Sequence, residues 1–191
     1  MEFKIGNCSI GDNHSTFVIA EMSANHGGKI ETALEIVRAA KRSGANAIKL
    51  QTYTAETMTI DCKNDFFMIK QDTAWDGEYL FDLYRRAYTP WEWHQEIYQL
   101  AKEEGLVCFS SPFDRTAVDF LESLNVPAYK IASFEITDIP LIEYVASKGK
   151  PIIISTGIAE HSDIVLALEA CKRMGNSNIA LLKCTSSYPA P

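Results

Sequence analysis

The chain has 191 residues, of which 47% are hydrophobic and 23% charged, a globular balance that excludes an intrinsically disordered segment. Its net charge of −7 excludes the basic footprint by which proteins hold nucleic acid or an anionic membrane. Five cysteines (Cys8, Cys62, Cys108, Cys171 and Cys184) stand singly without a C-x-x-C pair, which points to reduced thiols in a cytoplasmic protein.

The start, Met1-Glu2-Phe3-Lys4, lacks the basic-then-apolar layout of a signal peptide. The apolar runs are too short to span a bilayer. Along the chain, short apolar runs predict strands at Phe17–Met22, Ala47–Tyr53, Leu106–Ser111, Ala128–Ala132, Pro151–Thr156 and Ile179–Thr185. They are apolar on both faces, as strands of a covered parallel sheet are. Helices are predicted from about Lys29 to Ser43 and from starts near Trp91, Asp114, Asp138 and Ser162. Asp114, Asp138 and Ser162 are N-cap types. Gly44, Gly105, Gly149 and Gly175 follow four of the helices, where a left-handed residue ends a helix.

Such alternation means right-handed βαβ units in one domain. Pattern alone leaves two architectures open, an eight-stranded barrel and an open doubly wound sheet. A whole barrel takes roughly 250 residues, so a barrel would stop about two units short here. One connection, Thr54 to Thr89, has no clean period and many aromatics. Long connections of this kind are usually lids or binding loops, and this one leaves the C-terminal end of a strand, where barrel sites lie.

The informative anomaly is charge inside apolar strands. Glu21, Lys49, Gln51, Lys130 and Lys183 interrupt them, with Lys49 and Gln51 two apart on one face. Buried charges are paired or used. Hydroxyls gather at the strand ends: Ser110, Ser111, Ser133, Ser155, Thr156, Thr185, Ser186 and Ser187. Lysines and hydroxyls together suit a phosphate or carboxylate. The competing readings are structural ion pairs, ordinary turn hydroxyls, or a lysine nucleophile in a Schiff-base aldolase. Asn25-His26-Gly27-Gly28 follows the first strand, and His26 is open as a base, a ligand or a loop histidine. The four histidines show no metal-binding spacing. Trp91 and Trp93 are predicted to pack in the core at the start of a helix.

Six ordered segments resemble the successive barrel motifs of the N-acetylneuraminate (sialic acid) synthase family. They are Ile19–His26, Ile48–Tyr53, Phe109–Asp114, Tyr129–Ser133, Ile154–Gly157 and Lys183–Pro189. Within that family, Trp75-Asp76-Gly77, Ala87–Trp93, Phe134–Asp138 and Ser186-Ser187-Tyr188 are most similar to the pseudaminic acid branch. The sialic acid branch typically has Asn at the place of Ser186 and Gly at that of Phe134.

The resemblance implies an incomplete TIM (β/α)8 barrel of about six βα units. Residues 1–191 would be its N-terminal part, and the family's C-terminal antifreeze-like domain would be absent. It implies a cytoplasmic homodimer that joins phosphoenolpyruvate to an amino sugar with a divalent metal, Mn²⁺, Mg²⁺ or Co²⁺. Glu21 matches the carboxylate at the reacting carbons. Lys49, Ser111, Lys130, Ser133 and Ser155 match the phosphoenolpyruvate positions, and Gln51, Glu135, Ser186 and Tyr188 match those near the sugar. Lys183 has no role assigned by the match. The metal-ligand histidines would lie beyond residue 191, so the chain alone is expected to be inactive. Alternatives are the neuraminate or legionaminate reactions, or a non-catalytic sugar- or anion-binding module.

Overall fold

The computed structural model describes residues 2–70 and 75–186. It opens with an antiparallel hairpin, β1 (Phe3–Ile5) and β2 (Cys8–Ile10), which periodicity did not predict because three-residue strands carry too little pattern. Gly6 starts its two-residue turn at φ 57°, a conformation glycine adopts without strain. A side chain there would meet Val107, 3.3 Å from where its Cβ would stand. The hairpin therefore sits close under the sheet that follows.

That sheet is parallel, in the order β3 (Ile19–Glu21), β4 (Ala47–Thr52), β5 (Val107–Pro112), β6 (Tyr129–Ile131), β7 (Ile152–Ser155) and β8 (Ile179–Leu182). Strand order equals chain order, as in a barrel and unlike a doubly wound sheet, whose order reverses at a switch point. The architecture is a curled, incomplete TIM-type barrel. All six predicted strands are present, each within its predicted span except β5, which runs one residue past Ser111 to Pro112.

Helices α1 (Ile30–Arg42), α4 (His94–Glu103), α5 (Arg115–Ser123), α6 (Ile139–Ala146) and α7 (His161–Arg173) join successive strands, with α2 (Ala55–Met58) and α3 (Leu80–Ala87) in the long connection. Asp114 caps α5 by accepting from the backbone N–H of Thr116 and Ala117, and Asp138 caps α6 by accepting from Leu141. Ser162 does not cap. α7 starts one residue earlier, where Glu160 and Asp163 form a reciprocal capping box. The four glycines predicted at helix ends all have positive φ, and Asn125 takes that conformation after α5.

Two outer clusters glue helices to the sheet: Ile48, Leu50 and Met22 with Val37 and Ile97, and Tyr129, Ile131, Ile152 and Ile154 with Leu121, Ile142 and Val145. A third, smaller cluster fills the barrel axis at its N-terminal end. It contains Ala47, Phe109, Ala128 and Ile153, closed from below by Ile5 of the hairpin. Side chains alternate across strands, so the next inward positions on β4 to β7 are Lys49, Ser111, Lys130 and Ser155.

Candidate active site at the barrel mouth

The strands' inward alternation brings most of the predicted residues into one place. Lys49 pairs with Glu21 across the β3–β4 register and donates to Ser111 Oγ at 3.5 Å. Its side chain is 12% exposed, against 43% for Glu21. Lys130, 5% exposed, donates to Ser155 Oγ and to its neighbour's carbonyl, Ile131 O, both at 2.6 Å. Burial and the repulsion of Lys49 pull the Lys130 ammonium down to about 8. Two cations are thus held close together in a part-buried space, an arrangement costly alone and relieved by an anion. Gln51 lies on the same face as Lys49, in register with Ser111.

A second group of hydroxyls meets around Gly157. A Cβ there would stand 2.5 Å from Ser186 Oγ, 2.9 Å from Ser133 Oγ and 3.0 Å from Cys184 Cβ. Gly157 also donates its backbone N–H to Ser133 Oγ at 3.3 Å. Only glycine lets β7, β8 and the Ser133 turn approach so closely. Ser186 reaches this spot with φ 53°, a left-handed value uncommon for serine. Cys184 completes the group with its Sγ 3.7 Å from Ser133 Oγ. Burial opposes its thiolate, but Ser155, Ser133, the Thr156 backbone and the Lys130 charge outweigh that and lower the thiol. Sequence reasoning treated Cys184 as one of five reduced thiols, although its place between Lys183 and Thr185 in the last motif was a usable signal.

Glu135 sits in the 3-10 turn Phe134–Thr137 after β6. Burial raises its carboxyl above its ordinary value, and its Oε2 is buried with no hydrogen-bond partner among the described residues. Phe134 beside it is 75% exposed. Tyr188 and Ser187 lie outside the described residues.

Three expectations are corrected. Ser110 faces away from the mouth, its hydroxyl 2.7 Å from Thr52 Oγ1, which is 2.8 Å from His94 Nε2. His94 Nδ1 faces Pro90 O at 3.3 Å, and burial lowers the ring to about 4. This chain cross-links β4, β5 and α4 behind the sheet. Thr156 spends its hydroxyl on Leu182 O at 3.0 Å, joining β7 to β8. Lys183 lies one residue past the end of β8 rather than inside the strand.

His26 is a buried loop histidine, 1% exposed. Its Nδ1 accepts from Gly28 N–H at 3.1 Å, which places the proton on Nε2, 3.2 Å from Thr89 Oγ1. Burial lowers its ring, as suits a neutral cross-link. The tryptophans pack against neighbours but are half-buried rather than fully in the core: Trp91 stacks on Phe120 at 4.7 Å and Trp93 meets His26 edge-on at 5.5 Å.

Among the described residues no three His, Cys, Asp or Glu side chains converge where they could hold a metal ion. The two buried histidines, His26 and His94, already have partners on each ring nitrogen. The described residues thus form no metal centre among themselves. Nor is any described helix long and apolar enough to cross a membrane.

A profile of the NeuB family matches residues 36–191. A pseudaminic acid synthase of Helicobacter pylori is 51% identical over 173 residues, which cover 91% of this chain and 51% of that protein. A pseudaminic acid synthase of Campylobacter jejuni is 45% identical over 186 residues, covering 97% of this chain and 53% of that protein. Among solved structures, the N-acetylneuraminic acid (sialic acid) synthetase of Leptospira borgpetersenii, in complex with citrate, aligns with a TM-score of 0.85 at 31% identity. The alignment covers 100% of this chain and 61% of that one. The chain spans about half the length of the curated relatives it matches.

Proposed function

Because the chain belongs to the NeuB family, we propose that it supplies the substrate-binding barrel of an enzyme that condenses phosphoenolpyruvate with an open-chain amino sugar. The sugar is 2,4-diacetamido-2,4,6-trideoxy-altrose and the product pseudaminic acid. One observation carries the reading: Lys49 and Lys130, on alternate strands, converge with Ser111 and Ser155 beside the carboxylate of Glu21. That is an anion cradle with an acid–base group at its edge. The activities of the relatives supply the reaction.

In the reaction, C3 of phosphoenolpyruvate forms a bond to the sugar's aldehyde carbon, whose oxygen becomes a hydroxyl. Water adds at C2, and phosphate leaves with cleavage of its C–O bond. The chain's own residues bind and orient. Lys130, Ser155 and Ser133 with Lys49 and Ser111 take the phosphate and carboxylate, whose negative charge offsets the Lys49–Lys130 repulsion. Glu21, tied by Lys49, stands where a proton is moved at the reacting carbons. Gln51, Glu135, Ser186 and Tyr188 line the sugar end. A divalent metal would supply Lewis-acid polarisation of the aldehyde, and residues outside those described would hold it. We place the complete enzyme in the cytoplasm as a homodimer whose C-terminal antifreeze-like domain lies beyond this chain, and we expect residues 1–191 alone to be inactive.

The test is phosphate release from phosphoenolpyruvate by the chain extended to its relatives' full length, with the altrose-derived sugar and N-acetylmannosamine compared. Release with the altrose sugar alone supports the proposal. Release with N-acetylmannosamine alone moves the assignment to the neuraminate branch, and none with either sinks the synthase reading. The low Lys130 ammonium favours one second reading, a Schiff-base aldolase, because a neutral amine is nucleophilic. Borohydride with pyruvate would then trap a covalent adduct, whereas the synthase forms none.

A further inference from the structure

Gly157 is a glycine that its own backbone does not call for. Nine of the chain's ten glycines have positive φ, and Gly157 is the tenth, so no left-handed turn demands glycine there. It stands two residues past Ser155, the hydroxyl that receives Lys130 at 2.6 Å. What demands glycine is the space beside it. The place of a Cβ is taken by Ser186 Oγ at 2.5 Å, Ser133 Oγ at 2.9 Å and Cys184 Cβ at 3.0 Å. Two of these three atoms are hydroxyl oxygens that turn about a single bond. A methyl group added at Gly157 therefore displaces hydroxyls at little cost to the fold. The glycine keeps two side chains in place rather than a strand.

Those two hydroxyls belong to different ends of the site, Ser133 to the phosphoenolpyruvate positions and Ser186 to the sugar's. Gly157 also donates its N–H to Ser133 Oγ at 3.3 Å. That bond fills one acceptor position and leaves the hydroxyl's single hydrogen for another partner. The neighbour in reach is Cys184 Sγ at 3.7 Å, a weak sulfur partner that an anion outcompetes.

We propose that Gly157 is a positioning residue for the condensation. Its N–H aims the Ser133 hydroxyl at the bound anion, and its missing side chain lets Ser133 and Ser186 close over it so that the two substrates are held together. The inference rests on the synthase reading above.

The measurement is steady-state kinetics of the chain extended to its relatives' full length, with Gly157→Ala, Ser133→Ala and the double variant. Each substrate is titrated with the other saturating. Gly157→Ala turns both hydroxyls away, so the KM for phosphoenolpyruvate rises roughly tenfold and that for the sugar roughly threefold. Misplacing the two substrates lowers kcat by about tenfold or more, while the melting temperature stays close to that of the wild type. Ser133→Ala raises the phosphoenolpyruvate KM by a similar factor. Adding Gly157→Ala to it raises that KM no further, because the hydroxyl to be displaced is gone. Ser186→Gly provides a second background, which keeps the left-handed turn at that position and removes the nearest obstacle. There Gly157→Ala has room to fold and still raises the phosphoenolpyruvate KM. Unchanged kinetic constants in either background overturn the proposal. So does a lowered melting temperature with both KM values and kcat kept, which marks a structural role, or KM effects that multiply in the Ser133→Ala double variant. A wild-type enzyme that releases no phosphate with any sugar fails the synthase reading itself, a different result from these.

Discussion

The two ends of the barrel axis are built from the same strands and differ by one inward position. At the N-terminal end β4, β5, the residue before β6, and β7 contribute Ala47, Phe109, Ala128 and Ile153, sealed by Ile5 of the hairpin. Two residues on, the same strands contribute Lys49, Ser111, Lys130 and Ser155. The lower layer is apolar and closed; the upper one holds two ammonium groups, a carboxylate and hydroxyls bonded to one another. The difference teaches that stability and chemistry are separated along the axis by a single step of the pleat, about 7 Å. The lower layer fixes the strand positions that the upper layer needs.

The sharpest break of that division is Lys130→Met. In the full-length enzyme it lowers phosphate release on the order of a hundred- to a thousandfold, as loss of a preorganised charge does. It also stabilises the fold, because the unfolded lysine keeps its proton to about 10.5 while the folded one loses it near 8. Burial of the charge costs most below pH 8, and the cost fades as pH rises from 8 to 10.5. Urea titrations should give Lys130→Met a gain of ~1–3 kcal/mol at pH 7 that shrinks toward zero above pH 10. A variant both inactive and less stable would contradict the assignment of the upper layer to function.

Phe109→Ala asks the converse question one layer down. Phe109 is fully buried, and such a truncation costs about 3–5 kcal/mol. Activity per folded molecule should change far less than for Lys130→Met, as thermal melts alongside specific activity would reveal. A smaller effect sharpens the comparison further. Phosphoenolpyruvate affinity should fall as pH rises through about 8, where Lys130 loses its charge, with the apparent dissociation constant rising as much as tenfold per pH unit beyond it. Affinity flat from pH 7 to 9 would mean that Lys130 does not hold the anion.

How much of this was legible in the sequence follows from the physics of each signal. Strand runs were visible because strands buried on both faces are continuously apolar, and Lys49, Lys130 and Glu21 were visible because charge inside such runs is anomalous. Their period-two placement even put Lys49 and Gln51 on one face. The same rule separates Ser110 from Ser111, yet hydroxyls are so common at strand ends that composition hid the difference. Ser162 looked like a cap because its type is right, while the helix took Glu160 with Asp163, a choice made by backbone geometry. The hairpin of residues 3–10 and α3 of the long connection carry no run long enough to read.

Alternation, helix stops and anomalous charges are local properties, and residue order alone determined them: a βα repeat, its six strands and the charged side chains that belong together. Contacts between residues distant in the chain are another matter. The in-order curl of the sheet, the meeting of Ser133, Cys184 and Ser186 over Gly157, and the partnered and neutral state of His26 each depend on where several strand ends come to lie in space. Only the tertiary structure decided those, because packing sets them and no single stretch of sequence contains both partners.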